Sequence, residues 1–244
     1  MVTFDRIIKK YGSKTVLNIP SLTVGKGEIL GIVGNNGAGK TTLFKLLLDL
    51  IEPTQGSICN NGLSVTENDD WKYHTGAFID DKFLIDYLRP EEYFRLVLEL
   101  LNTEPVDLEK SLAPFLAFFD GEILGHKKLI RNFSKGNQKK IGIAAALLGA
   151  PKLILLDEPY THLDPTSQLR LKDTILHLNQ TLGTTFIISG HDLNNIVETC
   201  HRIILLEHGL IKEDLKVNSQ TTEHLLSYFT ISYAGQPQSN PTPP

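Results

Sequence analysis

The segment Gly34–Thr42 constrains the fold of this chain more than any other. It consists of Gly34, Asn35, Asn36, Gly37, Ala38, Gly39, Lys40, Thr41 and Thr42, which fits the phosphate-binding loop pattern G-x-x-x-x-G-K-[ST]. The apolar run before it predicts a buried parallel strand, and the apolar run after it predicts a helix. Glycines let backbone N–H groups turn towards a triphosphate, and the helix N-terminus adds its positive end. We therefore predict that Lys40 reaches the β- and γ-phosphates and that the Thr41 hydroxyl holds Mg²⁺.

The composition is that of an ordinary soluble globular protein, with 41% hydrophobic and 21% charged residues. A net charge of −4 indicates neither a nucleic-acid partner nor a surface for anionic membranes. Cys59 and Cys200 lack metal-ligand spacing, so both are predicted to be buried free thiols in a reducing compartment. We find no signal peptide and no apolar run of about 18 residues that could span a bilayer. The expected location is cytoplasmic, and any membrane role would come through a partner.

Three unbroken apolar runs in the second half predict central parallel strands of an α/β fold: Leu153–Leu156, Thr185–Ile188 and Ile203–Leu206. Between the first two, Asp164 and Pro165 predict a helix start and Gly183 its end. Asp192 is predicted to cap the next helix, on whose apolar face Cys200 falls.

The character of the chain changes to helical between about residues 85 and 150, where Pro90 suits the first turn of a helix. We expect an ATP-binding core formed by residues 1–84 and 151–215, with a helical subdomain over 85–150. Residues 216–244 are predicted to be a C-terminal extension whose tail, Gln236–Pro244, is disordered.

Two acids follow the apolar run that ends at Leu156, at the sheet edge where ligands bind in open α/β folds. Asp157 is predicted to hold Mg²⁺, and Glu158 to polarise the water that attacks the γ-phosphate. His191 follows the next strand and could bridge the γ-phosphate and Glu158. Alone, these residues would be a solvated acidic turn and a loop histidine, but the phosphate loop in the same chain favours catalytic roles.

The order of these motifs resembles the nucleotide-binding subunit of ABC transporters over about residues 1–215. Phe133–Asn137 matches the Leu-Ser-Gly-Gly-Gln signature of that family at Ser134 and Gly136. Ser134 is also a natural N-cap for the helix that follows, which by itself would indicate only a capped helix start. The resemblance implies a P-loop NTPase core, with a mostly parallel sheet flanked by helices and an antiparallel β portion. It also implies an inserted helical subdomain that contains the signature.

The resemblance assigns further roles residue by residue. Ser134 and Gly136 would contact the γ-phosphate of ATP bound to a second ATP-binding subunit, so that a dimer, most simply a homodimer, forms the site. Tyr11 resembles the aromatic residue that stacks on adenine, and the less favoured alternative is an edge-strand tyrosine. Asp164 resembles the residue that communicates across the dimer. The implied ligands are ATP and Mg²⁺, and the implied catalytic residues are Glu158, His191 and Lys40.

Two parts of the sequence depart from the family pattern. Asp80 stands where the family has a glutamine, as in subunits that resemble bacitracin- and lantibiotic-resistance exporters. A carboxylate there can still join Thr41 and Asp157 as a Mg²⁺ ligand, but it cannot donate as an amide does. In the signature, Lys135 and Asn137 replace family residues. Lys135 could add positive charge near the phosphate of the neighbouring subunit, or it could be a solvated lysine.

The leading hypothesis is an ATP-hydrolysing motor subunit that drives a separate transmembrane permease. Phe83–Leu88 is unusually apolar for a connector and would line a groove for the permease, or else belong to the core of the helical part. Asp80, together with a chain that ends soon after its last core strand, favours export. The alternative is a soluble non-transport ABC ATPase that acts as a scaffold or assembly factor. Chromosome-maintenance members are excluded because no sustained heptads separate Lys40 from Ser134.

Overall fold

The computed structural model of the protein describes residues 1–101 and 107–234, the last four as backbone only. Four strands form an antiparallel sheet in the order β2-β1-β4-β5: β1 (Val2–Tyr11), β2 (Lys14–Val24), β4 (Gln55–Asn60) and β5 (Leu63–Ser64). The larger sheet consists of β3 (Ile29–Val33), β6 (Thr75–Phe78), β7 (Leu153–Leu156), β8 (Thr185–Gly190), β9 (Arg202–Glu207) and β10 (Leu210–Lys216).

The order of the larger sheet is β10-β9-β3-β8-β7-β6, and all its neighbouring strands are parallel except β10, which pairs antiparallel with β9. The strand that precedes the phosphate loop, β3, therefore lies at the centre of the sheet, and β8 lies between it and β7. This arrangement confirms the predicted α/β fold, with a mostly parallel sheet and an antiparallel portion.

Alternate residues of the central strands face two separate cores, as the pleat of a strand requires. In β7, Leu153 and Leu155 join the core beneath the antiparallel sheet, whereas Ile154 and Leu156 join the core on the other face. Burial on both faces explains why these strands are unbroken apolar runs in the sequence.

Eight α-helices occur in the described residues: α1 (Lys40–Leu47), α2 (Pro90–Leu100), α3 (Leu108–Leu112), α4 (Leu116–Phe119), α5 (Lys135–Leu147), α6 (Pro165–Leu182), α7 (Leu193–Thr199) and α8 (Thr221–Ala234). The predicted caps are confirmed, because Asp164 and Asp192 accept backbone hydrogen bonds at the starts of α6 and α7. Gly183 ends α6 in the left-handed conformation, which costs glycine little.

The helices α2 to α5 lie between β6 and β7 in the sequence and share an aromatic core, in which Phe94 stacks on Phe119 with ring centroids 5.7 Å apart. Cys200 is buried as predicted. Cys59 is only partly buried, so the prediction is wrong there, because its neighbours Ile58 and Asn60 take the inward positions of β4.

In the part of the chain that the structure describes, no helix is both long enough and apolar enough to cross a membrane. The predicted disordered tail, Gln236–Pro244, lies outside the described residues.

Candidate nucleotide-binding site

The phosphate loop connects the central strand β3 to α1, and the backbone at two of its glycines leaves no room for a side chain. A Cβ on Gly34 would lie 2.2 Å from the carbonyl oxygen of Leu206. Gly39 has φ +113°, and a Cβ there would lie 2.7 Å from the side chain of Leu17. The loop is thus pressed against its neighbours, and its N–H groups precede the N-terminus of α1. Such a cradle suits a phosphate group.

Lys40 is the first residue of α1, and its side chain is only 6% exposed. Its Nζ donates a hydrogen bond of 2.7 Å to the carbonyl oxygen of Gly34 and lies 3.7 Å from Oε1 of Glu158. The ammonium group is therefore folded over the loop and directed towards the acid. A phosphate group entering the loop would replace these bonds to neutral carbonyl oxygens with ion pairs between the ammonium group and phosphate oxygens.

Thr41 and Asp157 provide oxygen atoms for a metal ion. Thr41 Oγ1 donates to Asp157 Oδ2 over 2.5 Å, and Ser189 Oγ donates to the other carboxylate oxygen. Burial raises the pKa of Asp157, against the hydrogen bonds from Ser189 and Thr41, which lower it. A buried carboxylate beside a hydroxyl is a hard oxygen set that a divalent cation would stabilise.

These residues fit Mg²⁺, which is commonly bound by one or two protein oxygens together with phosphates and waters. Within the described ranges no cluster of three His, Cys, Asp or Glu residues could hold a metal without such help. The predicted metal ligands Thr41 and Asp157 are thus brought together, although their metal itself remains a prediction.

Glu158 and His191 meet beside this oxygen pair. Nδ1 of His191 lies 3.4 Å from Oε2 of Glu158, and the imidazole is 59% exposed. Glu158 has φ +48°, a left-handed conformation that costs a non-glycine residue about 1 kcal/mol or more. Its N–H donates to Ser189 Oγ over 2.9 Å, which helps to hold this conformation. Lys40, Glu158 and His191 therefore lie together, and their contacts suit a carboxylate that orients a water molecule.

The signature residues lie elsewhere. Ser134 caps α5 by accepting a hydrogen bond of 3.2 Å from the N–H of Asn137. A Cβ on Gly136 would lie 2.8 Å from the carbonyl oxygen of His162, so this glycine permits close contact with the loop after Glu158. Among the described residues, the cavity over the phosphate loop is lined by Val16, Glu158 and the loop itself, without Ser134 or Gly136.

Three other predicted site residues have structural contacts of their own. Tyr11 ends β1 with its ring 53% exposed and with Lys9 Nζ 5.0 Å from the ring centroid. Asp164 caps α6, and hydrogen bonds from Ser167 lower the pKa of its carboxyl group. Asp80 is exposed and accepts a hydrogen bond of 3.0 Å from the N–H of Lys82. Stacking on adenine, communication across a dimer and Mg²⁺ ligation stay predictions for these three residues.

The sequence alone did not assign a role to Ser189, which bridges Asp157 and the N–H of Glu158. Its position at the end of an apolar strand could have indicated a place in the site, since β8 is the direct neighbour of β7 and both strands end at the same edge of the sheet. A second unforeseen contact joins Lys135, one departure from the family pattern, to Asp81, the residue after the other departure: Lys135 Nζ lies 3.8 Å from a carboxylate oxygen of Asp81.

The fold and the phosphate loop define a P-loop nucleotide-binding protein. The family model described as "ABC transporter" matches residues 17–161, more than half of the chain, and a model described as "AAA domain, putative AbiEii toxin, Type IV TA system" matches residues 125–198. The chain therefore belongs to the ABC transporter family, a family of ATP-binding cassettes.

Curated relatives of the chain include transport proteins with different printed roles. The chain is 32% identical to the bacitracin transport ATP-binding protein BcrA of Enterococcus faecalis, covering 89% of this chain and 70% of that protein. It is 30% identical to the spermidine/putrescine import ATP-binding protein PotA of Legionella pneumophila, covering 87% and 58%. The chain spans only 58–62% of the length of the first curated relatives it matches.

Solved structures of ABC cassettes share the fold. A dimeric post-hydrolysis state of the ATP-binding cassette MJ0796 bound to ADP and Pi is 25% identical, with a TM-score of 0.80 over 90% of this chain and 100% of that one. An ATP-binding subunit of an ABC transporter, also 25% identical, has a TM-score of 0.83 over 96% and 99%. These likenesses confirm the predicted P-loop NTPase fold.

Proposed function

We propose that this protein hydrolyses Mg²⁺-bound ATP and acts as the motor subunit of an ABC transporter. The convergence of Lys40, Glu158 and His191 on the phosphate loop is the observation that supports hydrolysis rather than binding alone. A binding module would need the loop and its lysine, but not a carboxylate held beside a histidine at the edge where the γ-phosphate would lie.

The chemistry assigned to these residues is an attack of water on the γ-phosphorus. Glu158 orients the water and accepts its proton, the bond to the β-phosphate oxygen breaks, and ADP and phosphate leave. Lys40 stabilises the charge that spreads over the phosphate oxygens, and His191 keeps the Glu158 carboxylate in line. Thr41 and Asp157 would hold Mg²⁺, which when bound neutralises charge on the β- and γ-phosphates.

We propose further that two subunits complete the site. Ser134 and Gly136 start a helix whose N-terminus could bind an anion, yet neither lines the phosphate-loop cavity of its own chain. A head-to-tail homodimer would bring them to the phosphates of the second subunit, with Asp164 near the subunit boundary and Tyr11 beside adenine. The dimeric state of the MJ0796 cassette supports this arrangement.

A groove between the larger sheet and the helical part is the proposed docking site for the permease. Its cavity of about 480 Å³ is lined by apolar residues from both sides, among them Phe78, Leu84 and Val97. Three large apolar residues of its lining, Phe83, Tyr73 and Leu50, are 58%, 55% and 48% exposed, and exposed apolar patches of this kind mark interaction sites. In this proposal residues 85–150 are a helical signature subdomain, and residues 1–84 and 151–215 are the core.

We propose export as the direction of transport and a peripheral position on the cytoplasmic face of the membrane. Asp80, in place of the family glutamine, supports export because the similar exporter subunits have an acid there. The likeness to a bacitracin transport protein agrees, whereas the likeness to a polyamine import protein favours the opposite direction. Transport assays in inside-out and right-side-out vesicles would separate the two directions.

The transport role can be tested by affinity purification of the tagged protein from detergent-solubilised membranes. The proposal predicts one stoichiometric transmembrane partner, which is lost in a Phe83→Asp variant because a charge enters the groove. Leu169→Asp, which alters an equally exposed leucine on α6 outside the groove, should retain that partner. Recovery of soluble partners only would instead support the scaffold or assembly role.

A further inference from the structure

Lys139 is a buried cation that has no role in the proposed binding of ATP and Mg²⁺. It lies in the second turn of α5, and its side chain is only 6% exposed. Burial lowers the pKa of its ammonium group, although Asp81, Glu158 and Asp157 act in the opposite direction. Placing a lysine there costs free energy unless it makes specific contacts.

The contacts of Lys139 are with the backbone of the proposed catalytic glutamate. Nζ donates a hydrogen bond of 2.8 Å to the carbonyl oxygen of Glu158, and it also donates to the hydroxyl of Thr161. The same Thr161 hydroxyl donates to the same carbonyl oxygen over 2.8 Å. These three groups form a closed triangle of hydrogen bonds on one side of the Glu158 peptide.

Glu158 needs such support because its left-handed backbone is strained. Ser189 holds its N–H, and Lys139 with Thr161 holds its carbonyl oxygen, so both backbone polar groups of the residue are hydrogen-bonded by side chains. Rotation of this peptide would swing the carboxylate away from His191 and Lys40. A displacement of about 1 Å at a reacting group can cost about 100-fold in rate.

We propose that Lys139 is a positioning residue for ATP hydrolysis, which holds the backbone of Glu158 so that its carboxylate faces the attacking water. This inference rests on the proposed function. It also connects two sites, because α5 begins with Ser134 and Gly136, which would serve the second subunit. The helix that closes one ATP site thereby holds the glutamate of the other.

The experiment compares Lys139→Met with Lys139→Gln in steady-state ATP hydrolysis. Methionine keeps the length and apolar stem but loses the donor, so kcat should fall about tenfold or more while KM for ATP changes less than about twofold. Glutamine retains an uncharged N–H donor and should recover several-fold of the lost kcat. Thermal melting and ATP affinity in a Glu158→Gln background would show that the variants are folded and bind nucleotide.

Lys140→Met is the matched control, since Lys140 is also a buried lysine of α5 but pairs with Glu122 at 3.1 Å. Its kcat per folded molecule should match that of the wild type. A Lys139→Met kcat within about twofold of wild type, or an equal fall in Lys140→Met, would overturn the inference. No recovery in Lys139→Gln would also overturn it. If the wild type itself does not hydrolyse ATP, or Glu158→Gln hydrolyses it normally, the proposed function fails instead.

Discussion

The hydroxyl of Thr41 donates a hydrogen bond of 2.5 Å to a carboxylate oxygen of Asp157, and this bond joins the start of α1 to the end of β7. The two residues are 116 positions apart in the sequence. They follow strands β3 and β7, which are separated in the sheet by β8. The two proposed Mg²⁺ ligands are thus held together by the fold itself.

Thr41→Val should weaken the effect of Mg²⁺ on nucleotide binding. Valine has nearly the same shape as threonine but no oxygen, so the loop can keep its backbone while one ligand is lost. In the wild type, Mg²⁺ should tighten the binding of a non-hydrolysable ATP analogue. The gain in affinity on adding Mg²⁺ should be about tenfold smaller in the variant. Calorimetric titration with and without Mg²⁺ measures this, and an equal gain in both proteins would exclude Thr41 as a ligand.

Gly136→Ala should destabilise the protein although alanine favours helices over glycine by about 1 kcal/mol. The new Cβ would lie 2.8 Å from the His162 carbonyl oxygen, a backbone atom that cannot rotate away. We expect a loss of about 1–3 kcal/mol in the free energy of unfolding, measured by denaturant titration. Lys135→Ala, at the exposed preceding position, is the control and should change stability by less than about 1 kcal/mol. A Gly136→Ala protein at least as stable as wild type would contradict the close contact.

Cys200 should resist alkylation in the folded protein. Burial raises the pKa of its thiol well above the ordinary value, so the reactive thiolate is scarce at neutral and mildly alkaline pH. Cys59 is partly exposed and serves as the internal control. Treatment with iodoacetamide at pH 8 followed by mass spectrometry should show modification at Cys59 first, and at both residues after denaturation. Modification of Cys200 as fast as Cys59 would mean that α7 is not packed as described.

Asp80→Gln should alter communication with the permease and leave basal ATP hydrolysis within about twofold of wild type. The Asp80 carboxylate accepts a hydrogen bond from the N–H of Lys82 and so caps the turn that leads to Phe83 at the groove. The variant would be compared with Asp173→Asn, which alters an exposed acid on α6. Unchanged transport together with unchanged stimulation by the permease would reject a special role for the acid.

Much of the fold follows from local patterns in the sequence. The unbroken runs at β7, β8 and β9 could be assigned because strands buried on both faces leave no polar positions. Asp164 and Asp192 could be assigned as caps because a helix start needs a side-chain acceptor. The phosphate loop, Asp157 and Glu158 follow from spacing, since parallel strands end at one edge of a sheet.

The contacts that could not be predicted from the sequence are those that depend on how distant segments pack. A lysine such as Lys139 in a helix is expected to be solvated, and nothing local shows that its Nζ reaches a carbonyl 19 residues away. The Lys135–Asp81 contact similarly joins the start of α5 to the turn that follows β6. The partial exposure of Cys59 also depends on packing, since cysteine spacing in the sequence does not tell which face of β4 is buried.

The most direct test of the proposed function is the rate of ATP hydrolysis by a Glu158→Gln variant, measured with its oligomeric state in the presence of ATP. The amide fills the same space but cannot accept a proton from water, so ATP affinity should be retained while turnover falls about 100-fold or more. Trapped ATP should then hold two chains together as a dimer in size-exclusion chromatography. Hydrolysis at a rate close to wild type would contradict the assignment of Glu158 as the base.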